Sequence, residues 1–185
     1  MLLFSLNLRG TEGTLKLASI RCVLDKTRPN IVFFQETLVH SIKARNFFHT
    51  LQLTWLSCVV NSVGTSGSLM VSWDPNYFDL VPFLTCGGIL LTGFCLESKR
   101  QITLLNVYGP CVERKLFWEQ LENYGLLTLK NLILAGDLNL TLSSSELWGG
   151  VSSLGSLIGY FKTYFHNNKL IDIVSGKVIP TWCNG

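Results

Sequence analysis

Charge is scarce in this chain. Asp, Glu, Lys and Arg make up 15% of its 185 residues, against 48% hydrophobic residues, a balance that excludes a disordered segment and suits strands buried on two faces. The net charge of +3 is too small to argue for nucleic-acid binding by itself. It is unevenly placed, with seven Lys/Arg against three Asp/Glu in residues 1–50 and eight against nine in the remainder. A weakly basic N-terminal third fits a polyanion partner and an ordinary solvated face equally well. The six cysteines form no C-x-x-C pair and have no histidine at ligand spacing, which argues against a zinc site. The lack of a secretory signal argues against a disulfide framework, so reduced and mostly buried thiols are expected. Met1-Leu2-Leu3-Phe4 has no basic region before it and runs straight into polar residues, unlike a signal peptide. One stretch, Leu80 to Leu96, runs seventeen residues without a charge. It is short for a membrane span and is broken by Pro82, Gly87-Gly88 and Gly93, so it reads as two core strands.

What is present is a succession of short apolar runs. Leu2–Leu6 reads as a strand, and Leu17, Ile20 and Leu24 share one face of a helix that Pro29 closes. Ile31–Phe34 is a second buried strand. Ser41 is placed to cap a helix whose apolar face is Ala44, Phe47, Phe48 and Leu51. Five strands follow: Trp55–Val60, Ser68–Trp73, Tyr77–Leu84, Ile89–Leu96 and Gln101–Tyr108. The short turns between them, such as Asp74-Pro75-Asn76 and Glu97-Ser98-Lys99-Arg100, predict antiparallel neighbours. Phe117, Leu121 and Tyr124 mark another helix. Leu132–Leu134 reads as a strand covered on both faces, and Leu157, Tyr160, Phe161, Tyr164 and Phe165 as the cleanest amphipathic helix. Strand-like pieces from Leu170 onward end the chain. With no internal repeat and no low-complexity tract, the expectation is one α+β domain over residues 1–185, two packed, mainly antiparallel sheets with helices outside.

Chemistry concentrates where apolar strands stop. Asn7 ends the first, Glu36 follows the second, Tyr108 ends the Gln101 strand, and Asp137 and Asn139 close the Leu132 strand. Asp137 and Asn139 stand at i, i+2, the spacing that puts two side chains on one side of an extended chain. A carboxylate and an amide side by side can orient a water or bind a metal. Gly136 before them lets the backbone pass close to something bulky. Taken singly, each has an ordinary explanation, such as an Asx turn or the first exposed residue after a core strand.

Together and in this order, Leu6-Asn7-Leu8-Arg9-Gly10, Gln35-Glu36-Thr37, Asn106-Val107-Tyr108-Gly109-Pro110 and Gly136-Asp137-Leu138-Asn139 resemble the endonuclease/exonuclease/phosphatase superfamily, with its DNase-I-like four-layer fold. Pro29-Asn30-Ile31-Val32, Phe117-Trp118, Leu170-Ile171-Asp172 and Thr181-Trp182-Cys183-Asn184 narrow the resemblance to the endonuclease of plant LINE-type non-LTR retrotransposons. The resemblance implies a Mg²⁺-dependent (or Mn²⁺-dependent) phosphodiester hydrolase that nicks DNA. Glu36 with Asn7 beside it would hold the cation in an oxygen-rich site. Asp137 would orient and help deprotonate the attacking water, Asn139 would hold it in line, and Tyr108 would hydrogen-bond the phosphate. Arg9, Arg114, Thr181, Trp182 and Asn184 would contact the DNA backbone. It also implies an intracellular, nuclear protein without a membrane anchor, and a reverse transcriptase as a companion domain in the parent element.

Some of the family pattern is not met. Leu6 stands where the family usually has Trp, and Arg9 where DNA-repair members carry an acidic metal-site residue. The later Arg-Leu-Asp and Ser-Asp-His elements have no counterpart up to Gly185, and His40, His49 and His166 lie outside any such motif. The expectation is therefore a copy short of its last strands and weak or inactive as an enzyme. A non-catalytic retroelement remnant and a phosphatase of the same fold, acting on a phosphoinositide or nucleotide, are the alternatives.

Overall fold

The computed structural model of the chain describes residues 1–11, 13–38, 41–51, 55–61, 68–146 and 157–173, with side chains for all of these except 41–45. They fall into two compact units, Met1–Gly109 with Leu129–Leu138, and Pro110–Thr128 with Asn139–Gly185.

The first unit is built on two four-stranded sheets. One takes β1 (Leu3–Asn7), β2 (Ile31–Gln35), β3 (Leu56–Val60) and β4 (Leu69–Trp73) in the order β1-β2-β4-β3. The other runs in chain order through β5 (Phe78–Thr85), β6 (Gly88–Cys95), β7 (Arg100–Tyr108) and β8 (Leu132–Asp137). Each sheet is mixed: β1–β2 and β7–β8 are parallel, and the other four pairs are antiparallel. The parallel β1–β2 pair needs a crossover, which α1 (Thr14–Thr27) supplies.

Alternation along β2 explains why it reads as an unbroken apolar run. Ile31 and Phe33 face the other sheet, where they meet Leu69, Val71 and Trp73 of β4 and Ile89, Leu91, Ile102 and Leu104 from the second sheet. Val32 and Phe34 point the opposite way, into Ile20 and Leu24 of α1 and Phe47, Phe48 and Leu51 of and beside α2 (Ser41–Thr50). Both faces are covered, so both must be apolar. The α1 face expected from Leu17, Ile20 and Leu24 is the one that packs, as are Phe47, Phe48 and Leu51. Arg28 then turns left-handed (φ 47) and Pro29 follows it. Ala44 and the capping side chain of Ser41 lie outside the described side chains. The charge-free Leu80–Leu96 stretch forms the β5–β6 hairpin, and among the described residues no helix is long and apolar enough to cross a membrane.

Polar side chains also cross between the sheets. Gln35, fully buried at the end of β2, donates Nε2 to Asn106 Oδ1 of β7 at 2.7 Å and to Ser5 Oγ at 3.2 Å. Asn106 Nδ2 in turn reaches Met70 O at 3.2 Å and Phe34 O at 3.4 Å. Buried polar groups are costly unless paired, and here each satisfies the other across the interface.

The second unit contains α3 (Arg114–Asn123) and α4 (Ile158–Asn167). Trp118 is wholly buried, its ring 5.6–6.2 Å from those of Phe117, Phe161, Tyr164 and Phe165. The Tyr164 hydroxyl donates to the Trp118 carbonyl at 2.6 Å. Burial, reinforced by the Glu122 carboxylate, pushes the Tyr164 phenol well above its ordinary range.

Several expectations change. The thiols are not mostly buried: among the described residues Cys22, Cys86 and Cys111 are exposed, Cys58 is half-buried and only Cys95 is buried. The Asp74-Pro75-Asn76 turn does not join antiparallel neighbours: β4 and β5 lie in different sheets, and the turn carries the chain from one to the other. β8 is half-buried throughout rather than covered on both faces, because it is the edge of its sheet among the described residues. The buried face of α3 is Arg114, Trp118 and Leu121, at i, i+4 and i+7, while Tyr124 is 71% exposed. Residues 170–173 are not strand, and the remaining terminal pieces lie outside the described residues.

Asn106→Ala should cost about 3 kcal/mol in chemical denaturation, because it strands the Gln35 donor and two main-chain carbonyls. Tyr164→Phe should cost about 1 kcal/mol at neutral pH for the lost bond to Trp118. The wild-type phenol ionises more readily unfolded, near pH ~10, than folded. Stability should therefore fall as pH rises above that value, and the Phe variant should lose stability less steeply in the same window.

Candidate active site

Parallel pairing puts the ends of β1 and β2 side by side, with Asn7 in register with Gln35. Glu36 is the next residue. On the other sheet the last β7–β8 pair is Tyr108 with Asp137. Ile133 and Ala135 of β8 pack into the intersheet core, so Asp137, in phase with them, is directed to the same side. Packing the sheets thus brings residues from both to one rim.

Asn7 is the hinge of this arrangement. Its Nδ2 donates to Glu36 Oε1 at 2.8 Å and to Asp137 Oδ2 at 2.6 Å. Both amide hydrogens are used, one on each carboxylate. The Oδ1 atom accepts from the Arg9 main-chain N–H at 3.1 Å, and this fixes which end of the amide faces the acids. Two negative groups 101 positions apart in sequence are held together by one neutral donor pair. The buried Gln35–Asn106 bond lies one residue back from Glu36 on β2 and two back from Tyr108 on β7.

The backbone around these residues is unusual. Arg9 and Glu36 both have φ 48, a left-handed conformation that costs a side-chain-bearing residue on the order of 1 kcal/mol or more. It persists because the loop is tied down: Leu8 N donates to Gln35 O at 2.8 Å and Gly10 N to Glu36 O at 2.6 Å. Thr37 behind them is buried, its hydroxyl 3.0 Å from that of Ser68. Gly136 has φ 136, and a Cβ there would stand 1.9 Å from the Val107 carbonyl oxygen. The bulky neighbour foreseen beside this glycine is therefore the backbone of β7. At Gly109 a Cβ would lie 2.2 Å from Leu138 O, where the Gly109 N–H bonds Asp137 O at 2.7 Å.

Asn7, Glu36 and Asp137 are brought into direct contact, and Tyr108 is the strand neighbour of Asp137. Arg9 is exposed and touches the group through its main chain. Asn139 opens the second unit with φ 47. Arg114, also in that unit, is buried and donates Nε to Cys111 O at 3.0 Å. Thr181, Trp182 and Asn184 lie outside the described residues. Gln35 and Asn106 stand inside the strand-end motifs, and the sequence alone assigns them no task. The available signal was a polar residue in phase with the core positions of an apolar strand, as Asn106 is with Ile102 and Leu104.

The donor set suits a hard divalent cation: two carboxylates on rigid strand ends, with no sulfur or imidazole among them. As the amide stands, Asn7 turns nitrogen rather than oxygen toward the acids, so it orients the would-be ligands. Among the described residues no group of three or more His, Cys, Asp or Glu is clustered for a metal.

Comparison with known proteins gives the family and the fold. The model of the Endonuclease/Exonuclease/phosphatase family matches residues 4–183. Among solved structures, the endonuclease domain of TRAS1, a telomere-specific non-LTR retrotransposon, is similar at TM-score 0.68 and 16% identity, over 97% of this chain and 75% of that one. The AP endonuclease LMAP from Leishmania major has TM-score 0.63 and 12% identity, over 90% of this chain and 66% of its own. The mannosyl-6-phosphatase Bt3783 from Bacteroides thetaiotaomicron has TM-score 0.56 and 17% identity, over 76% and 66%. At such identities the likeness shows the fold. No curated protein sequence matches the chain.

Gly136→Ala should force β8 away from β7 and displace Asp137. A loss of roughly 3 kcal/mol in thermal or chemical unfolding is expected, with the Asn7 side-chain NH₂ resonances shifted in NMR spectra.

Proposed function

Because the chain belongs to the endonuclease/exonuclease/phosphatase family, we propose that it is a metal-dependent phosphodiester hydrolase of the endonuclease type of a retroelement, which nicks DNA weakly. The observation that carries this reading is the Asn7 amide joined to Glu36 and Asp137 at 2.8 and 2.6 Å. Three residues from three strand ends, far apart in sequence, meet at one rim, where a phosphate and a water could be handled together.

Each side chain has a task suited to its surroundings. Glu36 would hold the cation, with Asp137 close by and Asn7 keeping both carboxylates aimed. A bound Mg²⁺ or Mn²⁺ supplies polarisation of the phosphoryl group and stabilisation of charge on the leaving oxygen. Asp137, fixed by Asn7 on one oxygen, orients the attacking water and accepts its proton. Tyr108 supplies a hydroxyl donor to a phosphate oxygen. The family resemblance gives Asn139 the task of holding that water in line. Arg9 is exposed beside the site and would pair with the DNA backbone, as would Arg114 and the terminal Thr181, Trp182 and Asn184. The reading places the protein on nuclear DNA and beside a reverse transcriptase in the parent element.

The test is nicking of supercoiled plasmid by the purified chain with Mg²⁺. Nicking is expected to vanish with EDTA and to fall roughly a hundredfold or more in Asp137→Ala. A folded, soluble chain that leaves the plasmid intact, or one whose nicking survives Asp137→Ala, overturns the proposal.

A further inference from the structure

A lysine is poorly placed in the first turn of a helix, where the exposed amide groups disfavour a cation. α1 carries Lys16 there, with no acidic residue in the same turn. Its ammonium instead meets three consecutive carbonyl oxygens: Leu8 O at 3.0 Å, Arg9 O at 3.4 Å and Gly10 O at 3.1 Å. An ammonium has three hydrogens to donate, so its whole capacity goes to this one loop.

The loop so held is the one that follows Asn7. Its N–H groups are also engaged, Leu8 with Gln35 O at 2.8 Å, Gly10 with Glu36 O at 2.6 Å and Arg9 with Asn7 Oδ1 at 3.1 Å. The end of β2, the residue after it and the Asn7 side chain therefore hold the loop by its donors, while α1 holds it by its acceptors through a single side chain. Three carbonyls turned to one point require a tight, partly left-handed path, and Arg9 at φ 48 lies at its centre.

We infer that Lys16 is a positioning residue for the candidate site. By gathering the carbonyls of Leu8, Arg9 and Gly10 it aims the Arg9 N–H at the Asn7 oxygen, and so turns the Asn7 NH₂ toward Glu36 and Asp137. Without the ammonium, three carbonyl dipoles converge unopposed, the loop opens, and Asn7 loses the partner that sets which way its amide faces. The inference rests on the reading of Asn7, Glu36 and Asp137 as the active site. It concerns how the site is held, not what it cleaves.

Hydrogen exchange by NMR on the full chain, without metal or DNA, tests it apart from any nicking activity. In Lys16→Met, which keeps the stem and removes the charge, exchange should quicken at the Arg9 and Gly10 amides and the Asn7 side-chain NH₂. An increase of roughly tenfold or more is expected, the equivalent of one lost hydrogen bond to a charged group. The core amides of Phe33 and Val71 should keep their wild-type rates. In Lys16→Ala, millimolar n-propylammonium should slow the same three positions again. Unchanged exchange at Asn7, or equal acceleration reaching Phe33 and Val71, would overturn the inference, the second because it would make Lys16 a stability residue. Where the wild-type chain nicks, Lys16→Met should lower kcat with KM unchanged; a rise in KM alone would make Lys16 a DNA contact and overturn the inference as well.

Discussion

Two sheets that pack only through apolar side chains can slide by a fraction of a residue at little cost, since dispersion and hydrophobic contacts are weakly directional. The Gln35–Asn106 hydrogen bond at 2.7 Å removes that freedom. Both residues are fully buried, so neither has water as an alternative partner, and any slip leaves two amides unsatisfied. Asn106 adds two further main-chain carbonyls, at Phe34 and Met70, from neighbouring strands of the facing sheet. The relation between the ends of β2 and β7 is thereby fixed, and with it the approach of Glu36 toward Tyr108 and Asp137. The contact between Asn7 and Asp137 at 2.6 Å depends on this registration.

At the rim itself the local rules are broken repeatedly. Arg9 and Glu36 occupy backbone conformations that side-chain-bearing residues avoid, two carboxylates are turned toward one amide, and Lys16 sits in the wrong turn of its helix. Breaches of this kind cluster where a protein needs fixed geometry, and the surrounding structure must over-determine them. Here the compensation is visible bond by bond: the loop after Asn7 is held on its donor side by the end of β2, the residue after it and the Asn7 side chain, and on its acceptor side by α1. The second unit shows the opposite character. Its rings and its Tyr164–Trp118 bond follow ordinary packing logic and account for stability.

Much of the fold was legible in the sequence because periodicity reports burial. Ile31–Phe34 read as a buried strand and is one, covered on both faces. Leu80–Leu96 read as two strands and forms them, turning at Cys86-Gly87, while Pro82 and Gly93, expected to break the run, lie inside β5 and β6. Periodicity does not report which neighbour does the covering. The same apolar-run argument that succeeded for β2 overstated β8, since an edge strand and a central strand share one sequence pattern. It also assumed that a short turn joins paired strands, and could not see that Asp74–Tyr77 passes the chain from one sheet to the other. On α3 the large aromatics suggested a face through Tyr124, whereas packing selected Trp118 and left Tyr124 in solvent.

The sequence by itself determined the strands, the residues that stop them, and hence the candidates Asn7, Glu36, Tyr108 and Asp137. Strand endings are local events, written in where apolar residues give way to Asn, Glu or Asp-x-Asn. Only the tertiary structure decided that Asn7 would face the acids with nitrogen rather than oxygen, that Gln35 and Asn106 would tie the sheets together, and that Lys16 would hold the loop. Those outcomes depend on hydrogen-bond partners 29, 130 and 71 residues apart and, for Lys16, on the path of a loop. A linear pattern shows which groups are available to bond, but their choice of partner is made by the packing of one sheet on another.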